Sequence, residues 1–203
     1  MIGVLSLQGG VEPHLALLRA LQLPARPVRE AAELLACSGL VWPGGESTTQ
    51  RKLIARFALG GVLDAFVHSG RPVLATCAGL IGCAERDYLD VDVERNAYGR
   101  QTGSFQTRTD DGHALSFIRA PKLRHLGPEV QVLATVQGDP VAVRERNVVG
   151  VCGHPELTGD PWLHALALGT AGAAKLPEAP LAEKKIADHT RVDDPRTTPP
   201  FAS

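Results

Sequence analysis

Apolar residues along this chain come in short blocks separated by turn-forming residues. Ile2 to Leu7 reads as a buried strand, and Gln8-Gly9-Gly10 supplies the turn after it. Leu15, Leu17, Leu18 and Leu21 then mark one side of a helix that runs to Pro24. A second strand is expected near Ala25 to Val28, a small helix near Ala31 to Leu35, and a third strand at Leu40-Val41-Trp42. Ser and Thr residues of Pro43-Gly44-Gly45-Glu46-Ser47-Thr48-Thr49 can cap a helix starting near Gln50. A helical segment with Val62, Leu63, Phe66 and Val67 precedes the apolar run Pro72 to Ala75. This alternation of strand and helix argues for a mostly parallel sheet with helices on both faces, a three-layer α/β sandwich.

From Asp90 onward the pattern changes. Val91 and Val93 alternate with acidic residues, and stretches around Phe105, Phe117-Ile118, Val130 to Val136 and Val141 to Val143 read as shorter strands. Gln137-Gly138-Asp139-Pro140 reads as a hairpin turn, so an antiparallel extension of the sheet is expected here. Val148 to Cys152 is a further buried strand, and a last helix from about Pro161 to Thr170 closes the domain, set at residues 1–174. Residues 175–203 shift to Pro, charge and small polar residues and are read as a flexible tail, the alternative being a short docking helix at Leu181 to Ala187.

Bulk composition narrows the function. The 203 residues carry 21 Lys plus Arg against 22 Asp plus Glu, which argues against nucleic acid and anionic membrane partners. No apolar run approaches a membrane span, and Met1 leads directly into a strand, so a cytoplasmic protein is expected. Cys37, Cys77, Cys83 and Cys152 show no paired CxxC spacing, so neither a metal site nor a disulfide framework is indicated, and no cofactor is called for.

Candidate chemistry starts at Cys77. The block Pro72-Val73-Leu74-Ala75-Thr76 breaks at Cys77-Ala78-Gly79-Leu80, a strand turning sharply into a helix, which would hold the thiol above the sheet edge at a helix N-terminus. A buried structural cysteine is the alternative. In His154-Pro155-Glu156 the proline disfavours a helical conformation at His154. In an extended segment residues two apart face the same way, so His154 and Glu156 can converge and supply base and orienter to the Cys77 nucleophile. Singly, each also reads as a structural histidine or a solvated turn acid. Backbone N–H groups near Gly45 and Ala78 are candidates for stabilising an oxyanion, with a plain turn or a phosphate cradle as the other readings of the glycine loop.

The stretches VWPGGESTT, ATCAGL, VERNAYGRQ, FIRAP and GHPELT, in this order, resemble the class I glutamine amidotransferases, and within them the glutaminase subunits of pyridoxal 5′-phosphate synthases. TCAGL and HPE mark only the broad class, whereas PGGEST, VERNAYGR and FIRAP are narrower. The resemblance implies hydrolysis of L-glutamine to glutamate and ammonia by Cys77, His154 and Glu156. It also implies that Gly45, Glu46, Ser47, Arg95, Ile118 and Arg119 bind the substrate. The implied partner is a (β/α)₈-barrel synthase subunit, in a large hetero-oligomer, that receives the ammonia.

Three departures stand out. The link Glu85 to Asp90 is shorter than the resemblance leads one to expect, Cys152 stands where a serine is expected, and the tail lies outside the pattern. Cys152 shares the strand face of His154, which raises the possibility of a reversible Cys77–Cys152 disulfide. The competing functions are the glutaminase of imidazole glycerol phosphate synthase, a catalytically silent regulatory subunit of the same fold, and a redox or stress protein with an elbow cysteine.

Overall fold

In the computed structural model, which describes residues 1–95, 97 and 104–169, the predicted apolar blocks pair in parallel. Strands β1 (Ile2–Leu5), β2 (Ala25–Val28), β3 (Gly39–Trp42), β4 (Val73–Thr76) and β11 (Val148–Val151) form the parallel part of the main sheet. Strands β9 (Gln131–Val136) and β10 (Asp139–Glu145) extend it antiparallel, giving the order β2-β1-β3-β4-β11-β10-β9. All residues of β1, β3, β4 and β11 are buried, as expected for strands covered on both faces.

Helix α1 (Val11–Ala20) follows β1, α2 (Ala31–Leu35) follows β2, and α3 (Ser47–Arg56) with α4 (Gly60–His68) separates β3 from β4. Helix α5 (Ala78–Ala84) follows β4, and α6 (Trp162–Ala167) ends the described chain. Two faces follow from the packing. Trp42, Ala75 and Gly150 are in register on one face, where Gly150 meets Leu80 and the Trp42 ring meets Gly82 of α5. Gly39 and Thr76 lie on the other face, toward Leu168 after α6 and His14 of α1.

The close seat of α5 is made by two glycines. A Cβ at Gly79 would lie 2.1 Å from the Trp42 carbonyl oxygen, and one at Gly82 would lie 2.6 Å from its ring. Larger residues would lift the helix, and Cys77 with it, off the sheet.

Strand β5 (Val91–Glu94) pairs with β8 (Lys122–Leu126), and β6 (Phe105–Arg108) with β7 (Ala114–Phe117), as two small antiparallel sheets. β8 was not expected from the pattern: its burial alternates irregularly and a bulge interrupts its pairing. Helix α3 begins earlier than the expected Gln50, because the Glu46 side chain caps it by accepting the Thr48 and Thr49 amides. The predicted tail, residues 175–203, and positions 96 and 98–101 of the VERNAYGRQ stretch lie outside the described residues.

Candidate active site

The loops that follow β1, β3, β4 and β11 converge at the carboxyl ends of the parallel strands, where α/β sheets place their sites. The chain runs outward in opposite directions from β1 and β3, so the crevice opens between the loops carrying Gln8 and Gly44. It holds a cavity of about 510 Å³ lined by Gln8, Gly45, Glu46, Ser47, Thr48, Cys77, Ala78, Ile81, Arg95, Ile118, Arg119 and His154.

Cys77 sits between β4 and α5 with φ +47° and ψ −100°, a strained backbone for a residue with a Cβ. Its amide continues the parallel ladder by donating to the Val151 carbonyl at 2.8 Å, so the elbow is anchored on β11. Of the other thiols, burial pushes Cys83 and Cys152 up to about 12, which disfavours the thiolate that a nucleophile or an exchanging thiol needs. All four cysteines are free, and Cys152 makes no disulfide with Cys77.

His154 reaches the cavity from the end of β11. A two-residue antiparallel bridge to Ser116 holds its backbone, with the His154 amide donating to the Ser116 carbonyl at 2.8 Å. Its Nδ1 lies 2.7 Å from Glu156 Oε1, and it lines the same cavity wall as Cys77, close enough for the sulfur to act on its charge. Convergence of His154 and Glu156 does not come from a continued strand, as their spacing suggested. His154 is extended (φ −124°, ψ 88°), but Pro155 starts a short 3₁₀ turn, Pro155–Leu157, that folds the glutamate back. Proline has the right φ for that first turn position and keeps its predecessor out of it.

Charge in this cluster is set by opposing effects. Burial by itself would lower the His154 pKa, but hydrogen bonds to Cys77 and Glu156 and the charges of both push it up to about 10. Burial would raise the Glu156 pKa, yet the hydrogen bond from His154 and the neighbouring imidazoles hold it below the usual carboxylate range. A positive imidazole is thus favoured between a sulfur and a carboxylate.

The glycine loop is held from three sides. Thr76 Oγ1 accepts the Gly44 amide at 2.8 Å, Gln8 Oε1 accepts the Glu46 amide at 2.7 Å, and Gln50 Nε2 donates to the carbonyls of Gln8 and Pro43. The Gly45 amide has no hydrogen-bond partner among the described residues, and Gly45 and Ala78 both line the cavity.

Of the residues named for substrate, Gly45, Glu46, Ser47, Arg95, Ile118 and Arg119 all line the cavity. The Glu46 carboxylate is turned away onto the start of α3, where hydrogen bonds from the Thr49 hydroxyl and amide, then from Thr48, lower its pKa to about 2. What Glu46 offers at the cavity is chiefly the fixed loop around it. Arg95 donates from its guanidinium to the Ser47 hydroxyl, and Arg119 is held at φ +49° beside it on the cavity wall. Gln8, Thr48 and Ile81 were not singled out from the sequence. Gln8 belongs to the first turn, Gln8-Gly9-Gly10, which the resemblance places close to the glycine loop, as found, and nothing in the spacing of the other two marks them.

A strained cysteine elbow, an imidazole hydrogen-bonded to a carboxylate and a glycine loop thus meet at the crevice of an α/β sheet, the architecture of the glutamine amidotransferases. The chain belongs to the SNO glutamine amidotransferase family, which it matches over residues 4–166. Among curated relatives, the pyridoxal 5′-phosphate synthase subunit PdxT of Streptomyces avermitilis is 42% identical over 196 residues, covering 88% of this chain and 98% of that protein. The PdxT subunit of Haloarcula marismortui is 44% identical over 185 residues, covering 81% and 94%. A solved glutamine amidotransferase superimposes with a TM-score of 0.75 at 39% identity, covering 82% of this chain and 96% of that one. A putative GMP synthase subunit from Thermoplasma acidophilum, at 16% identity and a TM-score of 0.63, shares the fold over 83% of this chain and 92% of its own.

Proposed function

We propose that this chain is the glutaminase of a pyridoxal 5′-phosphate synthase, hydrolysing L-glutamine to L-glutamate and ammonia. The ammonia passes to a (β/α)₈-barrel synthase subunit, within a large hetero-oligomer, for vitamin B6 cofactor synthesis in the cytoplasm. Supporting this reading are the family membership and the similarity to PdxT subunits over at least 80% of the chain. The observation that carries the chemistry is the Cys77, His154 and Glu156 cluster at the wall of the cavity. No helix among the described residues is long and apolar enough to cross a membrane.

In this reading the Cys77 proton already rests on His154, and the sulfur attacks the side-chain amide carbon beside that imidazolium. The carbonyl oxygen, now an anion, is met by backbone N–H groups of Gly45 and Ala78. His154 returns the proton to nitrogen, the C–N bond breaks, and ammonia leaves a thioester on Cys77. Water, deprotonated by His154, adds to the thioester carbon, and the C–S bond breaks to release glutamate. Glu156 fixes the ring and balances its positive charge throughout. Arg95 and Arg119 supply planar donors for the substrate's α-carboxylate.

Co-purification with a candidate barrel subunit, followed by glutamate release with and without it, tests the proposal. Release by the complex that disappears in Cys77→Ala is expected. Failure of the complex to turn over glutamine, or turnover at the normal rate by Cys77→Ala, refutes it.

A further inference from the structure

Behind the cluster lies a second set of polar side chains that the reaction above does not use. His14 on α1 and His164 on α6 are both completely buried, and His14 Nδ1 lies 2.8 Å from His164 Nε2. The other nitrogen of His14 points toward the site. Its Nε2 stands 3.5 Å from Glu156 Oε1, the same oxygen that holds His154 Nδ1 at 2.7 Å, and 3.4 Å from Thr76 Oγ1. Thr76 Oγ1 in turn accepts the Gly44 amide. His14 therefore stands where the carboxylate and the glycine loop meet.

Burying two imidazoles is costly unless their polar atoms are matched. Burial lowers the pKa of His14 and, more strongly, of His164, so each is neutral and carries one N–H. A proton on His14 Nδ1 would leave the Nε2 lone pair facing an ionised carboxylate. A proton on Nε2 directs a donor between Thr76 Oγ1, its hydrogen-bond partner at 3.4 Å, and that carboxylate at 3.5 Å, and leaves Nδ1 to accept from His164 Nε2–H. Of the two imidazoles, the second arrangement leaves only the His164 Nδ1 lone pair unmatched, and that atom, like Glu156 Oε2, is buried with no partner among the described residues. Orphan acceptors are tolerated better than orphan N–H groups.

We infer that His14 is a positioning residue of this active site. Locked by His164 as the Nε2–H tautomer, it aims the Glu156 carboxylate at His154 and ties it through Thr76 to the Gly44–Gly45 loop. The inference deepens the glutaminase reading and rests on it for its effect on turnover. The titratable groups around Glu156 are His154 on its own turn, His14 from α1, His164 behind it from α6, and Cys77 at the head of α5.

Long-range proton–nitrogen NMR of the wild-type full chain reads the tautomers directly. Nε2–H on both His14 and His164 is expected, and an Nδ1–H tautomer of His14 overturns the inference. Two variants then test the coupling. His14→Phe keeps the volume and removes the donor, whereas His14→Gln restores an N–H near the Nε2 position. Iodoacetamide labelling of the Cys77 peptide, followed by mass spectrometry across pH, is expected to shift upward by about one pH unit in His14→Phe. It should stay near the wild-type profile in His14→Gln. In the complex, His14→Phe should lower kcat about ten- to a hundredfold with KM nearly unchanged, and His14→Gln should recover most of it. An unmoved labelling profile in His14→Phe, or equal shifts in both variants, overturns the inference. Should His14→Phe not fold, the wild-type tautomers decide. Labelling and NMR need no glutamine turnover, so an inactive wild-type complex refutes the glutaminase reading while His14 is still judged.

Discussion

Gly44 lies against the His154 ring so closely that a Cβ on it would stand 2.4 Å from Cε1 and 2.9 Å from Nδ1. The same Cβ would stand 3.2 Å from Cys77 Cβ, so the glycine loop is packed against both the base and the nucleophile. The ring cannot retreat freely, because Nδ1 is tied to Glu156 and the backbone to Ser116.

Gly44→Ala is therefore expected to displace His154 from the sulfur while leaving the sheet intact. A shift of an ångström in a reacting group costs about a hundredfold in rate. Glutamate release by the complex should fall by about that factor with a near-normal circular dichroism spectrum. Wild-type kcat in this variant would show that the contact does not hold the ring.

Gly9 illustrates a different constraint. Its φ is +116°, and a Cβ there would lie 1.9 Å from the Gly44 carbonyl oxygen, which also accepts the Gly10 amide. Gly9→Ala meets both a disfavoured backbone and a backbone clash. The conformational cost alone is about 1–3 kcal/mol. Urea unfolding should show at least that loss, and an unchanged midpoint would contradict the close approach.

Much of this arrangement is legible in the sequence because it is local. The Cys77 elbow follows from an apolar block ending in small residues, and the His154–Glu156 pairing from a spacing of two around proline, though a 3₁₀ turn and not a strand brings the acid round. The parallel sheet and its antiparallel extension follow from runs of apolar residues giving way to alternation. What could not be read is long-range. Thr76 and Gly44, or His14 and His164, meet only after folding, and a single histidine in an apolar helix carries no sign of its partner. The β8 strand was hidden for a related reason: it pairs outside the main sheet and buries little.

Arg95 and Arg119 face one cavity from different elements, one after β5 and the other at the strained turn after β7. If they bind the substrate carboxylate, Arg95→Ala and Arg119→Ala should raise KM for glutamine about tenfold or more with a smaller change in kcat, since that interaction is present before and during reaction. Arg95→Lys should recover only part, lacking the planar fork. A KM unchanged in both alanine variants would remove them from the binding site.

The imidazolium of His154 links the site's chemistry to the protein's stability. Burial acts to lower its pKa, and the Cys77 and Glu156 interactions more than offset that, raising it from the usual 6.5 to about 10. A folded-state pKa above the unfolded one means that the stabilisation is complete below 6.5 and is lost as pH rises through about 10. For Glu156 the shift has the opposite sense. Its pKa is lowered from 4.5, so its contribution is present above 4.5 and disappears as pH falls through the folded value. The urea midpoint of the wild type should therefore decline between pH 6.5 and 10 more steeply than that of His154→Asn. In Cys77→Ala one of the interactions raising the pKa is gone, so the His154 titration seen by NMR should move down and the alkaline decline, which still starts near 6.5, should end at lower pH and be smaller. Equal slopes in wild type and His154→Asn, or a His154 titration unmoved by Cys77→Ala, would show that the sulfur and the ring are not coupled.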